Sequence, residues 1–240
     1  MEKEYKQGVL FPDFHSTMTE TGAETFTSRK FIFQPGNRFS LDICQHIEFS
    51  STWQMPIVKS IDISAPPSIK AFYRTGSSIA QGVCGHCYTD DRRLLPFVTD
   101  PYRMVKRLQG FDMVIGIDLS IKPEMPLPLQ ISISFYNKMI MAFWQSQGLK
   151  VIENVVWAGT DSYEFCFDGY ATGSVVAVNS TGIGTDKRSG YLWDKGYLAM
   201  LDTLKPSLIL RYGAKRSVER EDISVYYEND NKLEVSSYGG

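Results

Sequence analysis

Three aspartates stand where this sequence can do chemistry. Asp90 and Asp91 follow the apolar run Val83–Tyr88, and Asp118 ends the run Met113–Ile117. Carboxylates at the ends of two strands can share a hard cation, Mg²⁺ or Mn²⁺, or divide the work of general acid and general base. Polar or aromatic residues also follow the other apolar runs: Ser120, Trp157, Asp161, Asn179, Ser180, Thr181 and Tyr212. In open parallel sheets, ligands bind beyond the carboxyl ends of the strands. The expected catalytic residues are therefore Asp118, Asp90 and Asp91, with Asp90 and Asp118 as metal ligands. Ser120, Trp157, Asp161, Ser180, Thr181 and Tyr212 are the expected ligand contacts. The competing reading is local, because aspartate and serine after a strand also cap helices and build turns. Arg92 and Arg93 compete with a cation for Asp90 and Asp91.

Other patterns carry less. Cys84 and Cys87 form a CxxC, but a strand through them would turn them to opposite faces. Zinc would need Cys44 and His46 from elsewhere in the chain, and lone cysteines are ordinary core residues. The loop Ser180–Arg188 is small and polar, with Lys187 and Arg188 as counter-charges for a phosphate held by backbone N–H groups. It lacks the Walker spacing, and there is no nicotinamide or flavin signature of the GxGxxG kind. There is no GxSxG elbow either. The histidines are His15, His46 and His86, which leaves a Ser–His–Asp triad without a base in the later units. Phe135, Tyr136, Phe143 and Trp144 could stack bases, but their helical spacing reads as core.

The elements that must position these residues alternate. Strands are expected at Ile69–Tyr73, Val83–Tyr88, Met113–Ile117, Val151–Trp157, Ser174–Asn179 and Leu208–Tyr212. Helices are expected at Tyr102–Leu108, capped by Asp100, at Leu127–Gln147, stopped by Gly148, near Tyr163–Phe167, and at Tyr191–Leu204, halted before Pro206. The strands are apolar on both faces, as in parallel sheets covered by helices. The fold class is α/β: an open, mostly parallel sheet, or partial barrel, flanked by helices, because five units are too few for an eightfold barrel.

Residues 1–53 read as an irregular β-rich N-terminal extension, residues 54–215 as the core domain and 216–240 as a C-terminal tail. Phe31-Ile32-Phe33, Ile57-Val58 and Ile223–Tyr227 are short strand expectations. With 25 basic and 27 acidic residues in 240, the net charge of −2 disfavours a protein held to nucleic acid by charge alone. No apolar run has the roughly 20 residues of a membrane helix, and Met1-Glu2-Lys3-Glu4 does not begin a secretory signal. Four cysteines make no disulfide framework, and the expected compartment is the cytoplasm.

Several segments together resemble a known family. Cys87-Tyr88-Thr89-Asp90-Asp91, Ile117-Asp118-Leu119-Ser120, Met125–Gln130, Gly148–Ile152, Val155-Val156-Trp157, Phe165–Gly169, Val175–Val178 and Tyr212-Gly213 are similar, in order and spacing, to the family of unknown function DUF4417 over about residues 54–215. Ile117 stands where that family usually has proline; Ile133, Tyr136 and Lys138 stand where its long helix carries an asparagine and two arginines. The resemblance implies a protein of bacteria, archaea, phages and mobile elements, and no activity. Three functions follow as expectations: a metal-assisted enzyme on a small phosphorylated or nucleotide-like ligand, a non-catalytic binding protein engaging a protein partner through its N-terminal extension, or a nucleic-acid-handling accessory protein.

Overall fold

The computed structural model describes residues 16–18, 24–26, 41–44, 47–73, 82–183 and 186–228. Strands β1 (Ser16–Met18), β2 (Glu24–Phe26) and β3 (Glu48–Phe49) form a small antiparallel sheet. The expected strand at Phe31-Ile32-Phe33 lies outside the described residues. Ile57-Val58 forms no strand: Pro56 makes a single antiparallel bridge to Phe49, and the Ile57 N–H donates to the Glu48 carbonyl.

The main sheet contains β4 (Ser68–Ala71), β5 (Val83–His86), β6 (Met113–Ile115), β7 (Val151–Asn154), β8 (Val175–Asn179), β9 (Leu208–Tyr212) and β10 (Ser224–Tyr227). All neighbours are parallel, and the spatial order follows the chain from β4 to β10. The residues read as a C-terminal tail thus supply the seventh strand. Strands that always step the same way wind towards a barrel. The winding here nearly closes. Tyr88, just after β5, and Tyr212 of β9 stack at 4.7 Å although β6, β7 and β8 lie between their strands. Beyond β10, the Tyr227 hydroxyl donates to the carbonyl of Pro66 ahead of β4 at 2.7 Å.

Alternation along the strands divides the apolar residues between two layers. Ile69, Cys84, Ile115, Ile152, Ala177 and Leu210 fill the interior. Half-buried Ile61, Ile63 and Ala65 pack on the same cluster from the segment before β4. Val83, Val114, Val151, Val176 and Ile209 face outward under the helices.

Those helices are α1 (Asp91–Thr99), α2 (Pro101–Lys106), α3 (Leu127–Ser146), α4 (Tyr163–Phe167) and α5 (Lys187–Leu204). Helix α1 is not among the helices the sequence predicts, and it contains Pro96. Asp90 caps it, and only Leu94 and Phe97 are buried along it, too short a stripe to show a period. At α2, Asp100 holds the cap position, but its carboxylate accepts from Arg103 Nε at 2.6 Å instead of from the helix backbone. Helix α3 is buried without interruption from Lys138 to Trp144, which explains its near-continuous apolar sequence. Among the described residues, no helix is long and apolar enough to cross a membrane.

Candidate functional site

The strands β6, β7 and β8 end in Asp118, Asn154 and Asn179, directly or a few residues on, and these three side chains meet. Asn154 Nδ2 donates to Asp118 Oδ1 at 2.9 Å, and Asn179 Nδ2 donates to Asp118 Oδ2 at 3.0 Å. Both amides are held in that orientation from behind. The Tyr88 hydroxyl donates to Asn154 Oδ1 at 3.1 Å, while Asn154 Nδ2 also donates to the Ile117 carbonyl at 3.0 Å. Thr181 donates to Asn179 Oδ1 through both its N–H and its hydroxyl, each at 2.7 Å. Two relays thus run to Asp118, one from Tyr88 through Asn154 and one from Thr181 through Asn179.

The result is a carboxylate under opposing influences. Burial raises the pKa of Asp118, and the two amide bonds pull it back without cancelling the rise. Burial also holds the Tyr88 phenol well above its ordinary value, so it remains a donor to Asn154. A carboxyl group with raised proton affinity at the end of a parallel strand is suited to giving and taking protons.

Asp118 forms part of the floor of a cleft of about 700 Å³ at the carboxyl ends of the strands. Ile121, Trp157, Ile183 and Trp193 make its apolar walls. Lys122 and Arg188 bring positive charge to it beside the carboxylates of Glu124 and Asp186, and Arg188 reaches Glu124 at 3.8 Å. The walls are fixed by close packing. Trp157 lies against the backbone of α5 at Gly196, where a Cβ would stand 2.0 Å from the indole nitrogen. The Trp193 indole donates to the Asn179 carbonyl at 2.9 Å, and its ring carries the guanidinium of buried Arg211 at 4.7 Å. Arg211 is paired in turn with buried Glu219.

The expected site residues fall into three groups. Asp118, Ser120, Trp157 and Thr181 line the cleft. Asp91 stands beside it: its carboxylate accepts from the Ser120 N–H at 3.2 Å and hydroxyl at 3.0 Å, tying the start of α1 to the loop after β6. Asp90, Asp161, Ser180 and Tyr212 are not among the residues lining the cleft. Asp90 is spent on the α1 cap, accepting from the Arg92 N–H at 2.9 Å, and on an ion pair with the Arg92 side chain. Those bonds draw its pKa down to about 2. Asp161 is exposed in the turn Thr160–Ser162. Ser180 is buried and donates to the Ala214 carbonyl at 2.7 Å. Tyr212 lies inside the barrel against Tyr88 and His86.

Asn154, Lys122 and Trp193 were missed. Asn154 had a signal: it is a polar residue on the same face of β7 as interior Ile152. No group of three or more His, Cys, Asp or Glu side chains suited to a metal occurs among the described residues. Strand β5 ends at His86, short of Cys87, yet the two cysteines still part: Cys84 belongs to the interior and Cys87 to the outer layer. Burial pushes the Cys84 thiol up to about 12 and Cys87 well above its ordinary value, the opposite of a reactive thiolate. His46 lies outside the described residues.

Comparison with known proteins agrees with the resemblance read from the sequence. The chain is 29% identical over 202 residues to the Gene 1 protein of Mycobacterium phage L5, covering 83% of this chain and 88% of that one. It is 28% identical over 218 residues to the Gene 1 protein of Mycobacterium phage D29, covering 89% and 77% respectively. No solved structure matches. The model of the domain of unknown function DUF4417 matches residues 47–230, from the end of the small sheet through β10, and the chain belongs to that family.

Proposed function

We propose that this is a phage-type or mobile-element protein whose cleft binds a small phosphorylated or nucleotide-like molecule, with Asp118 as the group that takes or gives the proton. One observation carries the reading: a single carboxyl group of raised proton affinity, oriented by two asparagines, at the strand-end floor of a cleft of about 700 Å³. The walls suit the two halves of such a ligand. Trp157 and Trp193 offer a planar apolar surface, and Lys122 and Arg188 offer charge for a phosphate. Mg²⁺ or Mn²⁺ would enter with the phosphates, because one carboxylate with both oxygens already accepting amide bonds gives a hard cation few ligands. The cytoplasm of the host cell is the compartment consistent with the buried, reduced cysteines.

The test is a thermal-shift screen of nucleotides and sugar phosphates, each with and without Mg²⁺ or Mn²⁺. A true ligand raises the melting temperature by mass action. Asp118→Ala should remove ligand-dependent proton transfer, and Arg188→Ala should weaken binding. The absence of a shift with every phosphorylated compound at saturating concentration, cation included, would sink the proposal. A second reading, binding without turnover, is favoured by how the other carboxylates are engaged: Asp90 caps α1, Asp186 caps α5 and Glu124 pairs with Arg188, so none is set beside Asp118 as the second acid of a two-acid mechanism. It predicts a thermal shift with no chemical change in the ligand.

A further inference from the structure

A second cavity, of about 510 Å³, lies away from the cleft, between α4, the end of α5 and the segment Thr52–Trp53. Trp53, Tyr163 and Phe167 supply aromatic walls, and Glu164 and Asp168 supply carboxylates. Among the described residues, no lysine, arginine or histidine lines it. The last turn of α5 reaches it through Thr203 and Leu204, and that turn carries no basic residue of its own. The carbonyl end of a helix is the negative end of its dipole. The C-cap Lys205 stands against that terminus, so side-chain charge and aromatic faces are the two features that place negative potential in the hollow.

The side chains are set rather than loose. The Asp168 carboxylate accepts from the Ser50 hydroxyl and from the Trp53 N–H at 3.1 Å, which pins the segment carrying Trp53 across the cavity. Both bonds fall on Oδ2, so Oδ1 keeps its capacity to accept. Trp53 packs edge-on against Phe165 at 5.8 Å and still exposes 37% of its surface. Tyr163 stacks on Phe167 at 5.5 Å. Glu164 has no ion-pair partner among the described residues. Tyr170 also lines the cavity, but its ring already carries a cation: Lys138 Nζ lies 4.8 Å from the ring centre, buried and donating to Ser134 at 2.7 Å and to the Phe165 carbonyl at 3.2 Å.

We propose that this cavity is a binding site for an organic ammonium ion, seated on Trp53 and Tyr163 with Glu164 and Asp168 as its counter-charges. An organic cation is preferred to a metal ion because the aromatic faces stabilise a weakly hydrated charge and offer no ligand to a hard one. The site is independent of the Asp118 cleft.

The experiment is titration of the full chain with tetramethylammonium chloride, followed by calorimetry and by tryptophan fluorescence, against sodium chloride at equal ionic strength. A second arm uses N-acetyl-lysine amide, to distinguish a free small cation from the lysine side chain of a partner. Saturable binding in either arm, absent with sodium, is the expected result. Trp53→Ala should abolish it, and Glu164→Gln should weaken it about fivefold. Glu164 is exposed, so Glu164→Gln should keep the wild-type melting temperature and separates lost binding from lost folding. Responses identical to those with sodium, or binding that survives Trp53→Ala, would overturn the proposal.

Discussion

Asn154 Nδ2 lies 2.9 Å from Asp118 Oδ1 and 3.0 Å from the carbonyl oxygen of Ile117, so one amide nitrogen ties the carboxylate to the backbone just ahead of it. This is why the amide cannot turn over. Its oxygen would then face both a carbonyl and a carboxylate, with the Tyr88 hydroxyl left to meet the nitrogen.

Replacing that amide by a second acid is the sharpest test of the arrangement. Asn154→Asp would set two carboxyl groups side by side in a buried place. At neutral pH the variant should lose about 3 kcal/mol of stability, because like charges there cannot both ionise cheaply. One shared proton relieves the repulsion, so the deficit should shrink as the pH falls towards about 4. Urea denaturation at the two pH values measures it. An unchanged deficit at acid pH would mean that lost packing, and not charge, sets the cost.

Glu153, the neighbour of Asn154 on β7, faces the other way. Burial pushes its pKa from 4.5 up to about 7, against the bond from the Ser174 hydroxyl at 2.6 Å. A raised carboxyl pKa means that the folded state holds its proton longer than the unfolded chain does. Its contribution is therefore complete below the unfolded value and is lost as pH rises through 7. Between pH 5 and pH 8 the wild type should lose about 3 kcal/mol from this group. Glu153→Gln keeps an acceptor for Ser174 and should show a flatter profile by that amount.

Gly196 tests how the cleft wall is held. Its missing Cβ makes room for Trp157, whose indole nitrogen would lie 2.0 Å from it. Gly196→Ala should cost about 2 kcal/mol and move Trp157 into the cleft, weakening ligand binding. Gly159→Ala, which meets no atom within 4 Å, is the matched control and should leave melting temperature and binding unchanged.

Asp90 and Asp118 should separate cleanly. Asp90→Ala removes the α1 cap and should lower the melting temperature while leaving ligand affinity in the cleft as it was. Because its pKa is drawn down to about 2, the cap's contribution is present above the unfolded value near 3.8 and fades as pH falls through 2. A ligand that loses affinity in Asp90→Ala would return Asp90 to the site.

The pattern of two-sided apolar strands and helix-length intervals determined the α/β class, the run of parallel strands and the edge at which polar residues gather. Leu208–Tyr212 and Tyr163–Phe167 have the bounds that their sequences predict, because apolar character or ring spacing ends sharply there. The CxxC was legible for the same reason: alternation along a strand is a local property. The sequence also singled out Asp118 as an acid closing a buried strand, and the fold sets it in the cleft. What it left open was partnership. Whether an aspartate after a strand caps a helix or faces a ligand depends on where the next helix begins, and α1 begins at Asp91 under Asp90. Only the winding of the sheet could turn Tyr212 inward onto Tyr88 and bring Asn154 and Asn179 to opposite oxygens of one carboxylate. Those contacts join residues 36 to 124 positions apart, and at that separation the curvature of the sheet decides which side chains meet.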